Sequence, residues 1–467
     1  MIDFLTEKPV SSKREGRRHG GEDRISLLPD PLLCQILSNL PTKDAVKTSL
    51  LSSKWRYIWL SISELELDDE EFANSDSFVS FVDRFIDFSV ESPIEKLKLK
   101  LTSKREKCSP FAINSWVDAA VKRNIQHLEI DYAKRYLGFE LLSTDIFICQ
   151  TLVCLRLRFV ALNDFERVSL PRLKTMHLEE VRFVNHLALE TLVASCPVLE
   201  DLSVIRSQDD VKVLRVCSQT INRLILVLDV AELHRNRWAN SDVVIDAPKL
   251  KYLSIKDNQS TSFTIVNSLC SSAEVDIAVD FNVKDVLNIN DSGKRSSIGC
   301  FLARISSVRD MTICWKTFKV IRHYCKLEPL PQFCYMSQLH AKIFAVDLEM
   351  LPDLLESCPN LKYLVLELNG SIKKDEQMSF SSSVPLCLRS CLEHVEMRKP
   401  ISGFGVEMEL IRYFLENSTV LKKLTLRLGC PRMKQESIIF KELLGFRRCS
   451  SACVVDVVGL EETLMKL

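Results

Sequence analysis

From Ile94 to Leu426 one spacing of apolar residues keeps returning: apolar, two variable, apolar, one variable, apolar. It falls on Ile94-Leu97-Leu99, Ile125-Leu128-Ile130, Leu152-Leu155-Leu157, Leu173-Met176-Leu178, Leu199-Leu202-Val204 and Ile221-Leu224-Leu226. It resumes at Leu250-Leu253-Ile255, Val308-Met311-Ile313, Leu361-Leu364-Leu366, Leu392-Val395-Met397 and Leu421-Leu424-Leu426. First positions lie 31, 27, 21, 26, 22, 29, 58, 53, 31 and 29 residues apart. The two long gaps hold weaker copies, Ser272-Val275-Ile277 and Met336-Leu339-Ala341. Alternation of the last two apolar positions predicts a short strand with one face buried. Lead-ins such as Cys196-Pro197-Val198-Leu199, Ala247-Pro248-Lys249-Leu250 and Cys358-Pro359-Asn360-Leu361, preceded by amphipathic stretches such as 187–195 and 348–357, predict a helix–turn–strand unit. Units of this length stack into a solenoid, α/β in class and right-handed, with a parallel sheet on its concave face. An all-α or doubly wound arrangement is the alternative.

The period changes at both ends. Between Asp23 and Trp59, Leu32, Leu33, Ile36, Leu37 and Leu40 recur at helical spacing after Asp30-Pro31, which reads as an N-cap with proline at the first helical position. Pro41 closes that helix, Thr42 opens a second through Ala45, Val46, Ser49 and Leu50, and Ser52 or Ser53 caps a third carrying Trp55, Ile58 and Trp59. So small a helical core is marginal alone and is expected to bury apolar surface against a partner. From Val384 onward the chain reads strand, helix, strand, helix, strand, with Met408, Ile411, Phe414 and Leu415 forming one helix stripe. That is what a solenoid requires to cover its last apolar face.

Composition narrows the function. The chain has 467 residues, 46% of them apolar, with 62 Lys+Arg against 62 Asp+Glu. Zero net charge removes the footprint of a general nucleic-acid or anionic-membrane binder, and no apolar run reaches the roughly 18 residues of a spanning helix. The 12 glycines form neither GxGxxG nor GxxxxGK[ST]. The 17 cysteines contain no CxxC pair, and Cys387, Cys391 and His394 read as ordinary packing rather than a metal site. Free thiols behind a polar N-terminus predict a reducing compartment, nucleus or cytoplasm. Lys13-Arg14-Glu15-Gly16-Arg17-Arg18 reads as a solvated tail, with a nuclear address as the alternative. The eight histidines do not cluster with cysteine or acid at triad or metal spacing, so neither catalytic residues nor a cofactor site is expected.

Several stretches resemble a known family. Asp23-Arg24-Ile25-Ser26, Leu28-Pro29-Asp30, Ile36-Leu37-Ser38, Leu40-Pro41-Thr42-Lys43 and Trp55-Arg56-Tyr57-Ile58-Trp59 together resemble the F-box, particularly its plant form. The repeat template resembles leucine-rich repeats. Cys391-Leu392-Glu393-His394-Val395-Glu396, Tyr413-Phe414-Leu415-Glu416-Asn417, Val420-Leu421-Lys422-Lys423-Leu424 and Lys441-Glu442-Leu443-Leu444 resemble the FBD domain. The pattern departs most at 401–406. The resemblance implies a plant F-box/FBD/LRR-repeat protein divided into a basic tail (1–21), F-box (22–65), linker and first helix (66–93), repeats (94–383), FBD (384–458) and a short tail (459–467).

That resemblance further implies a non-catalytic substrate-recognition subunit of a Skp–cullin–F-box ubiquitin ligase. Its F-box would dock a Skp-type adaptor, and through it a cullin–RING ligase, while the repeats hold a target protein. Leu28, Pro29, Leu32, Leu33, Ile36, Leu37, Val46 and Trp55 are the candidates for the adaptor contact or for holding its shape. Residues expected to project from the concave face toward a target are Lys98, Glu129, Arg156, His177, Asp201, Arg223, Tyr252, Asp310, Tyr363, Glu396 and Arg427. Interleaved acids, bases and tyrosines suit a protein ligand better than a phosphate backbone. A small-molecule receptor acting through the same complex, or a scaffold outside it, is the alternative.

Overall fold

The computed structural model describes residues 24–88, 92–101, 108–132, 140–162, 167–206, 211–228, 241–283, 291–369, 383–401, 405–428 and 433–458. The basic stretch 13–18 and both expected tails lie outside these residues.

The chain opens with α1 (Asp30–Leu37) and α2 (Thr42–Lys47), followed by 3-10 turns at Thr48–Leu50 and Ile58–Ser61. Two expectations need correcting. Asp30 is already helical and the cap position is Pro29 at φ −58°, ψ 147°, so the carboxylate acts from the first turn on the helix dipole. The third helix is a run of turns ending in the 3-10 segment. Aromatic and serine side chains between 52 and 59 have weak helix propensity, and Trp55 Nε1 donates to Ser26 Oγ at 2.9 Å while Lys54 Nζ donates to the Leu28 carbonyl at 2.7 Å. Leu33, Leu37, Ala45, Trp55, Ile58 and Ile62 form the small core of this module.

The repeats follow. Their first elements are β1 (Glu64–Asp68), α3 (Ser75–Phe88), β2 (Lys96–Leu101), α4 (Pro110–Lys122), β3 (His127–Tyr132), β4 (Glu140–Leu141), β5 (Cys154–Arg158), β6 (Val160–Leu162) and β7 (Thr175–Phe183). The middle holds α5 (Ala188–Ala194), β8 (Asp201–Arg206), β9 (Val213–Cys217), β10 (Arg223–Val227), β11 (Ser241–Asp246), β12 (Tyr252–Asp257), β13 (Ser260–Ile265) and β14 (Glu274–Val279). Then come α6 (Ser292–Arg304), β15 (Asp310–Ile313), α7 (Trp315–Cys325), β16 (Gln338–Phe344), α8 (Leu351–Glu356) and β17 (Tyr363–Asn369). The last elements are α9 (Leu386–Ser390), β18 (His394–Ile401), α10 (Gly405–Asn417), β19 (Lys423–Leu428), α11 (Met433–Gly445) and β20 (Val454–Val458).

Among the described residues, 17 strands join in one open sheet, every pairing parallel. The main ladder runs in chain order through β1, β2, β3, β5, β7, β8, β10, β12, β14 and then β15 to β20, while β4 and β6 pair beside the far end of β7. All thirteen copies of the template, the two weak ones included, sit on ladder strands, with their last two apolar positions buried.

Three features depart from the expectation. The stretch expected to hold a linker and a first helix does carry a helix, α3, but residues 64–68 ahead of it are strand β1, paired residue for residue with β2 from Glu64↔Lys96 to Asp68↔Lys100. Ile62-Leu65-Leu67 obeys the repeat template, so the array starts at the end of the helical module. The acidic run Asp68-Asp69-Glu70-Glu71 accordingly ends β1 and turns, with Asp69 buried. Finally, the layer behind the sheet is not helical throughout: β9, β11 and β13 form a separate three-stranded sheet there. Val213-Leu214-Arg215-Val216 and Asp242-Val243-Val244-Ile245 alternate with period two and are rich in branched residues, which favours extended chain over helix.

The asparagine usual after such strands is mostly missing, and hydroxyls and thiols take up part of the stitching between repeats. Thr151 Oγ1 donates to the Ile125 carbonyl and Thr220 Oγ1 to Leu199, both at 2.7 Å; Ser450 Oγ donates to Leu421 at 2.7 Å and Cys270 Sγ to Leu250 at 3.5 Å. Each acceptor is the first apolar position of the preceding repeat. Buried carbonyls that would be costly to leave unpaired are thereby satisfied.

Candidate functional site

Two surfaces present chemistry to solvent. The first is the outer face of the helical module. Leu33, Leu37 and Trp55, expected among the adaptor contacts, are buried in the module's own core and hold its shape. On α1, Leu33 and Leu37 alternate with the exposed Leu32 and Ile36 because the helix has only one inward face. Leu28 is half-buried against the same core, and Val46 packs toward the solenoid. Pro29, Leu32 and Ile36 remain exposed. Leu32, Ile36 and Leu40 stand 46, 41 and 40% exposed at i, i+4, i+8, one stripe on α1 and the turn after it. Ile25, Leu27, Leu50, Leu51 and Tyr57 add exposed apolar surface and, like Leu40, were not among the expected adaptor contacts. The i+4 continuation from Ile36 to Leu40 was the available signal.

This module is fastened to the solenoid. Glu66 N, on the outer edge of β1, donates to Thr42 Oγ1 at 2.8 Å, closing an edge that would otherwise be open. Lys43 reaches the Glu71 carbonyl and lies 4.3 Å from the Phe72 ring centroid. Trp59 packs against both cores and sits 5.2 Å from Phe85, centroid to centroid.

The second surface is the sheet face turned away from the core. All eleven residues expected there do project from it, in three rows of the register. Lys98, Glu129, Arg156 and His177 are consecutive partners in one row, and Glu396 lies farther along it. Asp201, Arg223, Tyr252, Asp310 and Tyr363 sit one pleat earlier, Arg427 one pleat later. Which row each residue occupies reflects template drift of one pleat between strands, which cannot be read from spacing.

Neighbouring strands neutralise one another on this face. Lys98 Nζ lies 3.1 Å from Glu66 and 3.6 Å from Glu129, and the Glu66 hydrogen bond holds its pKa above the usual lysine value. Arg158 lies 3.4 Å from Asp131 and 3.1 Å from Glu179. Asp201 is 3.8 Å from both His177 and Arg223, and burial still pushes the His177 pKa down. Arg223 lies over the Tyr252 ring at 4.2 Å. Toward the C-terminus, Tyr363 stacks on His394 with centroids 4.5 Å apart and planes 5° apart, and Arg427 donates to Glu396 at 3.0 Å. The Cys387, Cys391, His394 grouping diverges: Cys387 Sγ turns to the Leu355 carbonyl and Cys391 Sγ to Pro359. Among the described residues, no group of three His, Cys, Asp or Glu converges on a metal-sized site, and no helix is long and apolar enough to cross a membrane.

Comparison with known proteins matches three family models. Residues 25–66 match the F-box domain, 113–278 match the repeats described as "FBD-associated F-box protein At5g56370, LRR repeats", and 381–426 match FBD. Among similar proteins, the F-box/FBD/LRR-repeat protein At5g22660 of Arabidopsis thaliana is 50% identical over 451 residues, covering 95% of this chain and 98% of its own. The putative F-box/FBD/LRR-repeat protein At5g22670 is 52% identical over 440 residues (93% and 98%), and F-box/LRR-repeat protein 13 is 42% identical over 443 (93% and 96%), both from the same plant.

Proposed function

Because this chain belongs to the plant F-box/FBD/LRR-repeat family, we propose that it is the substrate-recognition subunit of a Skp–cullin–F-box ubiquitin ligase. The F-box docks a Skp-type adaptor, and the outer sheet face holds a target protein for ubiquitin transfer. One observation carries this reading: an exposed apolar helix stripe is fastened to the first strand of a long sheet whose opposite face is polar and solvated. The stripe has the composition of an interface core, apolar and without charge. The sheet face offers paired charges, histidines and tyrosines, which suit a protein partner.

In this role the chain contributes no bond-making group. It acts by holding the target near the transferring enzyme, and a short, stiff joint at Thr42, Lys43 and Trp59 keeps that geometry defined. The reading also proposes action in the nucleus or cytoplasm, where such ligases meet their targets. A pull-down of the purified chain with a recombinant plant Skp-type adaptor tests it. Stoichiometric capture is expected, and a folded chain that captures none would overturn it.

A further inference from the structure

On the first repeats the outer face is a ladder in which cations and acids answer one another. Lys96 lies 3.2 Å from Glu64, Lys98 bridges Glu66 and Glu129, and Arg158 holds both Asp131 and Glu179. Arg156 breaks this pattern. It is exposed, directly between Glu129 and His177 in the register, and among the described residues no carboxylate comes within ion-pair distance of it. Its near neighbour is the half-buried Cys154 thiol, whose pKa burial raises and the guanidinium lowers.

Two shallow recesses of about 390 and 170 Å³ meet at this point, and both are lined by Glu129 and Arg156. The larger also takes in His127 and Cys154, the smaller His177.

We propose that Arg156 is the anchor for one carboxylate side chain of the target protein, presented by an extended segment lying across β3, β5 and β7. The assignment rests on the reading that this face holds a target, and it names the chemistry that would be held. A guanidinium offers paired parallel donors that match a carboxylate fork, and this one, beside the Cys154 thiol, holds no carboxylate among the described residues. The charge around it favours a single negative charge over two. The recesses are lined by the cations Lys96, Arg156 and Arg158 and by the acids Glu64, Glu129, Asp131 and Glu179, so the second negative charge of a dianionic phosphate would meet added repulsion from the walls.

Cys154 lets the full-length chain report on the site. It is treated in parallel with iodoacetate, which carries a carboxylate, and with neutral iodoacetamide, and alkylation of each cysteine is followed by peptide mass spectrometry. The exposed Cys270, Cys300, Cys334 and Cys449 serve as controls in the same molecule. The iodoacetate-to-iodoacetamide rate ratio at Cys154 is expected to exceed that of the controls by roughly two- to fivefold, the effect of one exposed charge pair. In Arg156→Gln that excess disappears while the control ratios stay put, which also reports that the variant is folded. An equal ratio at Cys154 and the controls in the unaltered chain overturns the proposal.

A second arm fixes the source of the anion. The acetylated, amidated tripeptide Ala-Glu-Ala slows iodoacetamide at Cys154 more than its Gln counterpart does. Stronger protection by the phosphoserine counterpart overturns the carboxylate assignment. Adaptor capture by Arg156→Gln separates the two readings: capture without a rate excess in the unaltered chain sinks only the anchor, and a rate excess without capture sinks only the adaptor role.

Discussion

Replacing Leu32, Ile36 and Leu40 together by alanine should abolish tight adaptor binding while leaving the F-box folded. Fully burying an aliphatic side chain is worth about 1.5–3 kcal/mol. These three keep 46, 41 and 40% of their surface exposed in the free chain, so covering them in a complex recovers about 2–4 kcal/mol. The loss on truncation corresponds to a dissociation constant raised between about thirtyfold and several hundredfold. The contrasting substitution is Leu37→Ala. Leu37 is 0% exposed in a small core, where emptying a leucine costs about 2–5 kcal/mol. It should therefore unfold the module rather than weaken an intact interface. Isothermal titration against the adaptor, with amide exchange over 25–61 as the folding control, reads both. Unchanged affinity in the triple variant, or intact folding with normal binding in Leu37→Ala, would refute the division into outward and inward residues.

Other consequences follow from the repeats. Asp257 is buried at the β12–β13 turn, where desolvation lifts its pKa from 3.8 to about 6 despite hydrogen bonds from Ser260 Oγ and the amides of Gln259 and Ser260. A raised carboxyl pKa favours the protonated folded state, so its contribution is full below pH 4 and is lost as pH rises through 6. The swing is about 3 kcal/mol, and the stability difference between the unaltered chain and Asp257→Asn should shrink by that much from pH 4 to 7 in urea titrations; a pH-independent difference contradicts it. Thr220→Val removes the stitch to the Leu199 carbonyl and should cost about 1 kcal/mol of denaturant stability, with faster exchange near the turn. Lys98→Ala breaks two partly exposed ion pairs and should cost no more than about 1 kcal/mol, an effect that added salt reduces further.

The ladder was legible because one constraint recurs: each repeat must bury the same apolar positions against the repeats beside it. Leu224 and Leu226 could be placed on a strand because Leu202 and Val204 before them and Leu253 and Ile255 after them obey the same spacing. The first strand escaped notice because Ile62 serves two masters, packing in the helical module's core while opening the Ile62-Leu65-Leu67 template. Behind the sheet no repeated constraint applies, since that layer needs only apolar cover, and β9, β11 and β13 meet the need as well as helices do. The site divides the same way. Face assignment followed from alternation, whereas the row each residue occupies, the stacking of Tyr363 on His394 and the lack of a carboxylate partner for Arg156 depend on strand stagger and side-chain reach. Spacing along one strand carries none of that information.

The most direct test is amide hydrogen exchange on the full chain with and without a saturating Skp-type adaptor. The account predicts new protection within residues 25–57, centred on the Leu32–Leu40 stripe, and none along the outer sheet face from β2 to β19, which stays free for a target. Protection on that sheet face, or no protection anywhere in a folded chain, would contradict it.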